Sequence, residues 1–173
     1  MKINLPINVT QRQRDNALQA LNVMWPSIPT RNVVPELSCW RSEPNAADPF
    51  TVDVSTIPTC KTIACFGGWC PWWEPFAAQG VIVDAETGIP DLVQEVKNRI
   101  LDHYRPWRHA SPCLVAVHLF GVPDMFYAQG EFLDFSGIKD YNESTCSAHA
   151  AVTRRLKWLI KNSRVIDNGK EWA

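Results

Sequence analysis

Apolar side chains recur at helical spacing in several stretches of this 173-residue chain, and each stretch predicts an amphipathic helix. The first helix has clear boundaries. Thr10 can cap it, Gln13 completes a capping-box pattern three residues later, and Pro26 stops it. Its apolar stripe consists of Ala17, Leu18, Leu21, Met24 and Trp25. The sequence therefore predicts a first helix over residues 10–25.

The second half of the chain carries three more long helical patterns. In the first of these, Pro90 is placed as the opening helical residue, and Glu95 with Arg99 forms a favourable pair four residues apart. Residues 111–120 are apolar on all sides, which predicts a buried central helix ended by Gly121. The last pattern covers residues 145–162. Its inward-facing positions are Ala148, Val152, Leu156, Leu159 and Ile160.

The rest of the chain adds little regular structure. Residues 26–58 hold six prolines with little periodicity, which indicates an extended connector pinned to the body by apolar side chains. Residues 80–88 predict a short strand followed by a turn. We therefore expect one mainly α-helical domain over residues 1–173, a compact bundle of five to six helices with at most a short strand pair. It comprises the first helix at 10–25, a proline-rich arm at 26–58 and a helical core at 59–162.

The composition of the chain limits which kinds of partner we expect it to bind. The formal net charge of −1 argues against a general nucleic-acid binder, which normally carries a basic excess. No apolar run is long enough to span a membrane, and the first residues have no secretory-signal pattern. Without a signal, the six cysteines are expected to be reduced thiols in a cytoplasm, although a disulfide framework is the alternative.

Cysteines and tryptophans concentrate in residues 60–76, which contain Cys60, Cys65 and Cys70. A spacing of five turns about 140° on a helix, so these three thiols do not share one face and do not predict a metal site. Cys146 and His149 lie one helical turn apart and are the weak candidates for metal ligands. Conceivable further ligands lie on the central helix, at Cys113 and His118. No cofactor-binding motif occurs, and we expect no cofactor.

An enzymatic hypothesis centres on Cys60 and Cys65 with a histidine from a later helix. Cys60 precedes a helix start and lies beside Lys61, and both influences lower a thiol pKa. The structural interpretation is that Cys60 is a small buried hydrophobe at the helix entry. We identify no catalytic residue from the sequence.

Two surfaces are candidates for binding. Pro71–Pro75 cannot form a regular helix throughout, so rings of this region can anchor an interface or pack inward. These rings are Trp69, Trp72, Trp73 and Phe76. The second surface is a basic stripe opposite the apolar side of the last helix, formed by Arg154, Lys157, Lys161 and Arg164. It can meet an acidic protein surface or a phosphate backbone, or it is simply a solvated face.

The pattern Cys60-x-Thr62-x-x-Cys65-x-x-Gly68-Trp69 is followed by Leu119-Phe120-Gly121 and by a helix opened by Thr145. Over residues 58–162 the chain thus resembles small bacteriophage and bacterial proteins that share a Cys-x-Thr-x-x-Cys-x-x-Gly-Trp motif. The resemblance implies a phage-type origin and favours a role in binding a host protein. The leading hypothesis is a phage-encoded accessory protein that modulates or inhibits a host protein in the host cytoplasm. The alternatives are the cysteine- or metal-dependent enzyme and a virion or assembly component.

Overall fold

The computed structural model describes residues 7–28, 66–103, 111–126 and 148–166. Within these ranges the protein is mainly helical, which confirms the predicted fold class. Most of the proline-rich arm lies outside the described residues, and so do Cys60, Cys65 and Cys146.

Seven α-helical segments and four short strands make up the described structure. In chain order they are β1 (Ile7–Val9), α1 (Gln11–Gln19), α2 (Trp25–Ser27), α3 (Phe66–Trp69), α4 (Glu74–Ala77), β2 (Val81–Val83), β3 (Pro90–Leu92), α5 (Gln94–His103), α6 (Ser111–Phe120), α7 (Ala148–Asn162) and β4 (Ser163–Val165). A π-helical turn, Ala20–Met24, joins α1 to α2. Two 3₁₀ turns, Cys70–Trp72 and Pro123–Phe126, follow α3 and α6.

Helix α6 is the centre of the core, as its uniformly apolar sequence predicts. Its residues from Cys113 to Phe120 are all buried. Around Phe120 the rings of Phe66, Phe76 and Phe126 pack with centroids 5.5, 5.8 and 6.1 Å away. Burying each such ring contributes about 1.5–3 kcal/mol, so this aromatic cluster is a large part of the driving force for folding.

The first helix begins as predicted but ends later. The Thr10 hydroxyl accepts the Gln13 N–H at 3.1 Å, and the Gln13 side chain accepts the Thr10 N–H at 2.9 Å, which confirms the capping box. The prediction that Pro26 stops the helix is wrong, since helical structure continues to Ser27. Pro26 falls in the first turn of α2, after the π-helical turn, and in a first turn the missing N–H costs little.

Pro90 opens a strand rather than a helix, so its predicted role is wrong. The Asp84 carboxylate accepts hydrogen bonds from the Thr87 N–H and hydroxyl, both at 2.8 Å, and Gly88 takes a φ of 68°. This turn reverses the chain, and Pro90 then pairs with Val83 in the antiparallel ladder of β2 and β3. Helix α5 begins only after that strand.

The two outermost described segments pair with each other, which the sequence did not predict. β1 runs parallel to β4, with Ile7 opposite Ser163 and Val9 opposite Val165. Where the sequence predicted at most one strand pair, the described residues contain two. Arg164 therefore lies in β4, opposite Asn8, and not on the last helix.

Polar side chains of α1 satisfy the carboxyl-terminal carbonyls of α6. The Gln13 amide donates to the Val117 carbonyl at 2.9 Å, and the Asn16 amide donates to the Leu119 carbonyl at 3.0 Å. Both side chains are buried. The last carbonyls of a helix lack partners within it, and Asn16 supplies one for Leu119. The Val117 carbonyl also accepts the Gly121 N–H at 2.8 Å, so the Gln13 amide is its second donor.

Replacing Gln13 by alanine is expected to lower the free energy of unfolding by about 2 kcal/mol, because it removes the buried hydrogen bond to the Val117 carbonyl and the capping box. Urea denaturation monitored by circular dichroism measures the change.

The matched control is Gln11→Ala on the same helix. Gln11 is exposed, and its amide donates only to the Asp15 carboxylate. We expect this variant to stay within about 0.5 kcal/mol of the parent. Equal losses in the two variants would contradict the assigned role of Gln13.

Candidate functional site

We use the name tryptophan turn for the segment that carries Trp69, Trp72 and Trp73. It is less exposed than residues that anchor a protein interface. Trp69, Trp72 and Trp73 are half-buried, and Trp69 and Trp73 pack against the core. Phe76 is fully buried, edge-to-face with Phe120, so its predicted place on a binding surface is wrong. The physical reason is that α4 turns Phe76 inward immediately after the proline-framed segment.

The polar edges of these rings point inward. The indole nitrogens of Trp69 and Trp73 are buried and have no hydrogen-bond partner in the described part of the chain. What these two side chains expose is therefore ring carbon. The turn offers an apolar rim rather than the mixed apolar and hydrogen-bonding surface that makes tryptophan effective at interfaces.

The basic face of α7 is exposed to solvent. We use this name for Arg154, Lys157 and Lys161 of α7 together with Arg164 of the adjoining β4, all four of which are exposed. The opposite side of α7 is buried in the core through Val152, Leu156 and Leu159. Within the described ranges neither Lys157 nor Lys161 takes part in an ion pair.

Arg155 has a different role from its basic neighbours. It is fully buried, and its guanidinium donates to the Met125 carbonyl at 3.1 Å. Its burial was not predicted from the sequence. The buried position of Arg155 could have been predicted from the sequence, because helical spacing places it between Val152 and Leu159 on the apolar side of α7.

The proposed metal pair is only half described. The His149 ring stacks on Trp25 with centroids 5.1 Å apart, and the His149 carbonyl accepts the Trp25 indole N–H at 3.0 Å. Cys146 lies outside the described residues, so the pair stays a prediction. Among the described residues no three potential metal ligands come together, and Cys113 and His118 sit in the core.

His118 lies at the junction of several elements. Its Nε2 atom is 2.9 Å from the Gln79 carbonyl, which can only accept, so Nε2 carries the proton. The Gln79 side chain is itself held in a reciprocal amide pair with Asn16, both distances being 2.9 Å. The other ring nitrogen, Nδ1, is buried without a partner in the part of the chain that the structure describes.

Burial lowers the pKa of His118 from 6.5 to about 4, and the charges of Arg12 on α1 and Arg99 on α5 act in the same direction. The hydrogen bond to Gln79 opposes this shift. His118 is therefore neutral near physiological pH. The ion pair predicted between Glu95 and Arg99 does not form, and within the described residues Arg99 has neither a hydrogen bond nor an ion pair.

The low pKa of His118 predicts a loss of stability in mild acid. Above about pH 6.5 the imidazole is neutral in both the folded and unfolded states and does not affect stability. As the pH falls from about 6.5 to about 4, the unfolded chain binds a proton that the folded protein does not. The free energy of unfolding should therefore fall by up to roughly 3 kcal/mol over this range.

The measurement is urea denaturation at a series of pH values, compared with His118→Gln. Glutamine can keep the donor to the Gln79 carbonyl but does not titrate. The difference between the two proteins should be flat above about pH 6.5 and grow below it. Parallel pH profiles would refute the assignment of a low pKa to His118.

In the described ranges no helix is both long and apolar enough to cross a membrane. No protein-family model, curated protein or solved structure matches this chain significantly. Function must therefore be argued from the charge, burial and hydrogen bonding of its own residues.

Proposed function

We propose that this protein is a non-enzymatic binding protein whose basic face contacts an acidic surface of another protein. The motif resemblance favours a phage-encoded accessory protein that modulates or inhibits a bacterial host protein in the cytoplasm. The observation that carries the proposal is the exposed charge of Lys157 and Lys161, which form no ion pair with any described residue, on a helix packed against the core.

The rigidity of α7 supports this role. Val152, Leu156 and Leu159 are buried at 0–1% exposure, and the buried guanidinium of Arg155 ties the helix to Met125. The chain then continues directly into β4, which pairs with β1. A face held from both sides presents its charges in one arrangement, so a partner loses less conformational freedom on binding.

The charge pattern favours a protein partner over nucleic acid. The whole chain carries a net charge of −1, so the four cations are a local concentration and not part of a basic molecule. General nucleic-acid binders show an excess of positive charge. Complementary charges across a protein interface mainly raise the association rate and select the partner.

The tryptophan turn provides a secondary contact in this proposal. Trp72 and Trp73 expose part of their rings next to Glu74, which is also exposed. A partner that covers these ring carbons would stabilise the complex by about 25 cal/mol for each Å² of apolar surface that it buries.

The test is affinity capture from a bacterial host lysate with the full chain as bait. The double variant Lys157→Glu/Lys161→Glu reverses two exposed charges without touching the core. We expect the partner captured by the parent to bind at least about tenfold more weakly to this variant, and binding to the parent to weaken as salt is raised.

The matched control is Lys157→Arg/Lys161→Arg, which keeps both charges at the same positions. It should capture the same partner at a similar level. A partner retained equally by the charge-reversed protein would refute the role of the basic face. Loss on Trp73→Ala alone would instead assign the interface to the tryptophan turn.

A further inference from the structure

The basic face of α7 has a tryptophan along its edge. Trp158 follows Lys157 directly in the helix. It also lies about one helical turn from Arg154 and from Lys161, four and three residues away. Its side chain packs against the core and is half-buried, so part of the ring remains at the surface. The exposed cations of α7 and part of an aromatic ring therefore lie side by side.

Trp158 is suited to anchor an interface. Tryptophan and arginine are the side chains that most often carry the binding energy of a protein interface. The core already holds one side of the Trp158 ring, and its carbonyl accepts the Asn162 amide at 2.8 Å near the end of α7. A partner that covers the exposed part of this ring would therefore order little that is not already ordered.

The spacing of the cations indicates what kind of surface fits them. Arg154, Lys157 and Lys161 all lie within Ala148–Asn162, three and then four residues apart. These intervals correspond to about 4.5 and 6 Å along the helix axis, and another α-helix presents the same intervals. On a β-strand, side chains of one face recur every two residues, about 6.7 Å apart, and lose register over the same length. The spacing thus favours a helical partner over an extended one.

We propose that the basic face and Trp158 together bind an acidic amphipathic α-helix of the partner. This inference rests on the proposed function and names the partner's chemistry at the same site. Three carboxylates of the partner helix face Arg154, Lys157 and Lys161, and an apolar side chain beside them covers the exposed part of the Trp158 ring. Amphipathic helices laid on a complementary surface are a recurring mode of recognition.

The helix dipoles favour an antiparallel arrangement of the two helices. The carboxyl-terminal end of α7 carries partial negative charge, and the amino-terminal end of a helix carries partial positive charge. Antiparallel packing brings these ends together. The carboxylates of the partner helix should then be spaced by four and then by three residues, the reverse of the order on α7.

The test uses the full chain and a fluorescein-labelled, alanine-rich helical peptide of about 20 residues. This matched peptide has glutamates at positions i, i+4 and i+7 and a leucine at i+3. A control peptide of the same composition has its glutamates at i, i+5 and i+10, which spreads them around the helix. Fluorescence anisotropy measures both affinities, and circular dichroism compares the helicity of the two peptides. We expect the matched peptide to bind at least about tenfold more tightly, and more weakly as salt is raised.

The variant Lys157→Gln/Lys161→Gln should weaken binding of the matched peptide at least about fivefold, because it removes two of the cations that the glutamates face. The matched control is Gln94→Glu/Asn98→Glu, which lowers the net charge by the same amount at two exposed positions of α5. It should bind the matched peptide as the parent does. The melting temperature of each variant shows whether it has folded.

Nitrogen-15 NMR of the indole N–H groups locates the contact. The Trp158 signal is identified by its loss in Trp158→Phe, and it should shift as the matched peptide is added. The Trp25 signal is the internal control. Its ring is 1% exposed and its indole N–H donates to the His149 carbonyl, so this signal should not move.

Three results would overturn the acidic helix as the partner. Absent or equal binding of the two peptides would leave no role for the spacing of the carboxylates. A shift confined to the indole signals of Trp72 and Trp73 would place the contact on the tryptophan turn. Tighter binding of a duplex DNA oligonucleotide than of the matched peptide would assign the basic face to nucleic acid, against both proposals.

Capture from host lysate separates this inference from the proposed function. A partner that is lost from Lys157→Glu/Lys161→Glu, yet is not displaced from the parent by the matched peptide, would support the proposed function and contradict the acidic helix. A partner that the charge-reversed protein retains would contradict the proposed function, whatever the peptides do.

Discussion

The fold depends on satisfying the backbone at the buried end of α6. A helix that is apolar on every side gains most by complete burial, but burial removes water from its last carbonyls. Asn16 of α1 supplies the donor that replaces water at Leu119, and Gln13 adds a second donor at Val117, whose carbonyl also accepts the Gly121 N–H. Helix α1 therefore packs against one side of α6 and also donates hydrogen bonds at its end. A substitution in either helix should affect the packing of the other.

The same junction accounts for the unusual state of His118. Asn16 pairs with Gln79, and the Gln79 carbonyl orients the imidazole. Once the ring is fixed among apolar neighbours and two arginines, its protonated form is disfavoured. The Nδ1 atom of this ring is buried and has no hydrogen-bond partner among the described residues.

The basic face and the surroundings of His118 arise in different ways. The basic face follows from the amphipathic pattern of α7, because a helix that buries one side must present the other to solvent. The surroundings of His118 include Gln79 and Asn16, which are far from it in the sequence. Only the basic face is visible as a periodic pattern along the chain.

Much of the local structure could be predicted from the sequence. The capping box at Thr10, the burial of α6, the turn at Asp84 and the exposure of Lys157 and Lys161 all follow from contacts within a few residues or from helical periodicity. These features depend on local geometry and on the separation of apolar and polar positions, and both follow directly from the order of residues along the chain.

The pairing and packing of elements decided the rest, because the pattern around a residue does not show which strand or helix it will contact. Pro90 fits the start of a helix locally, yet its pairing with Val83 makes it part of a strand. Arg164 continues the basic spacing of α7, but the pairing of β4 with β1 moves it into a sheet. The sequence by itself determined which helices form and which sides they bury. Only the packing of α1, α5 and α6 determined that His118 would be buried and its pKa lowered.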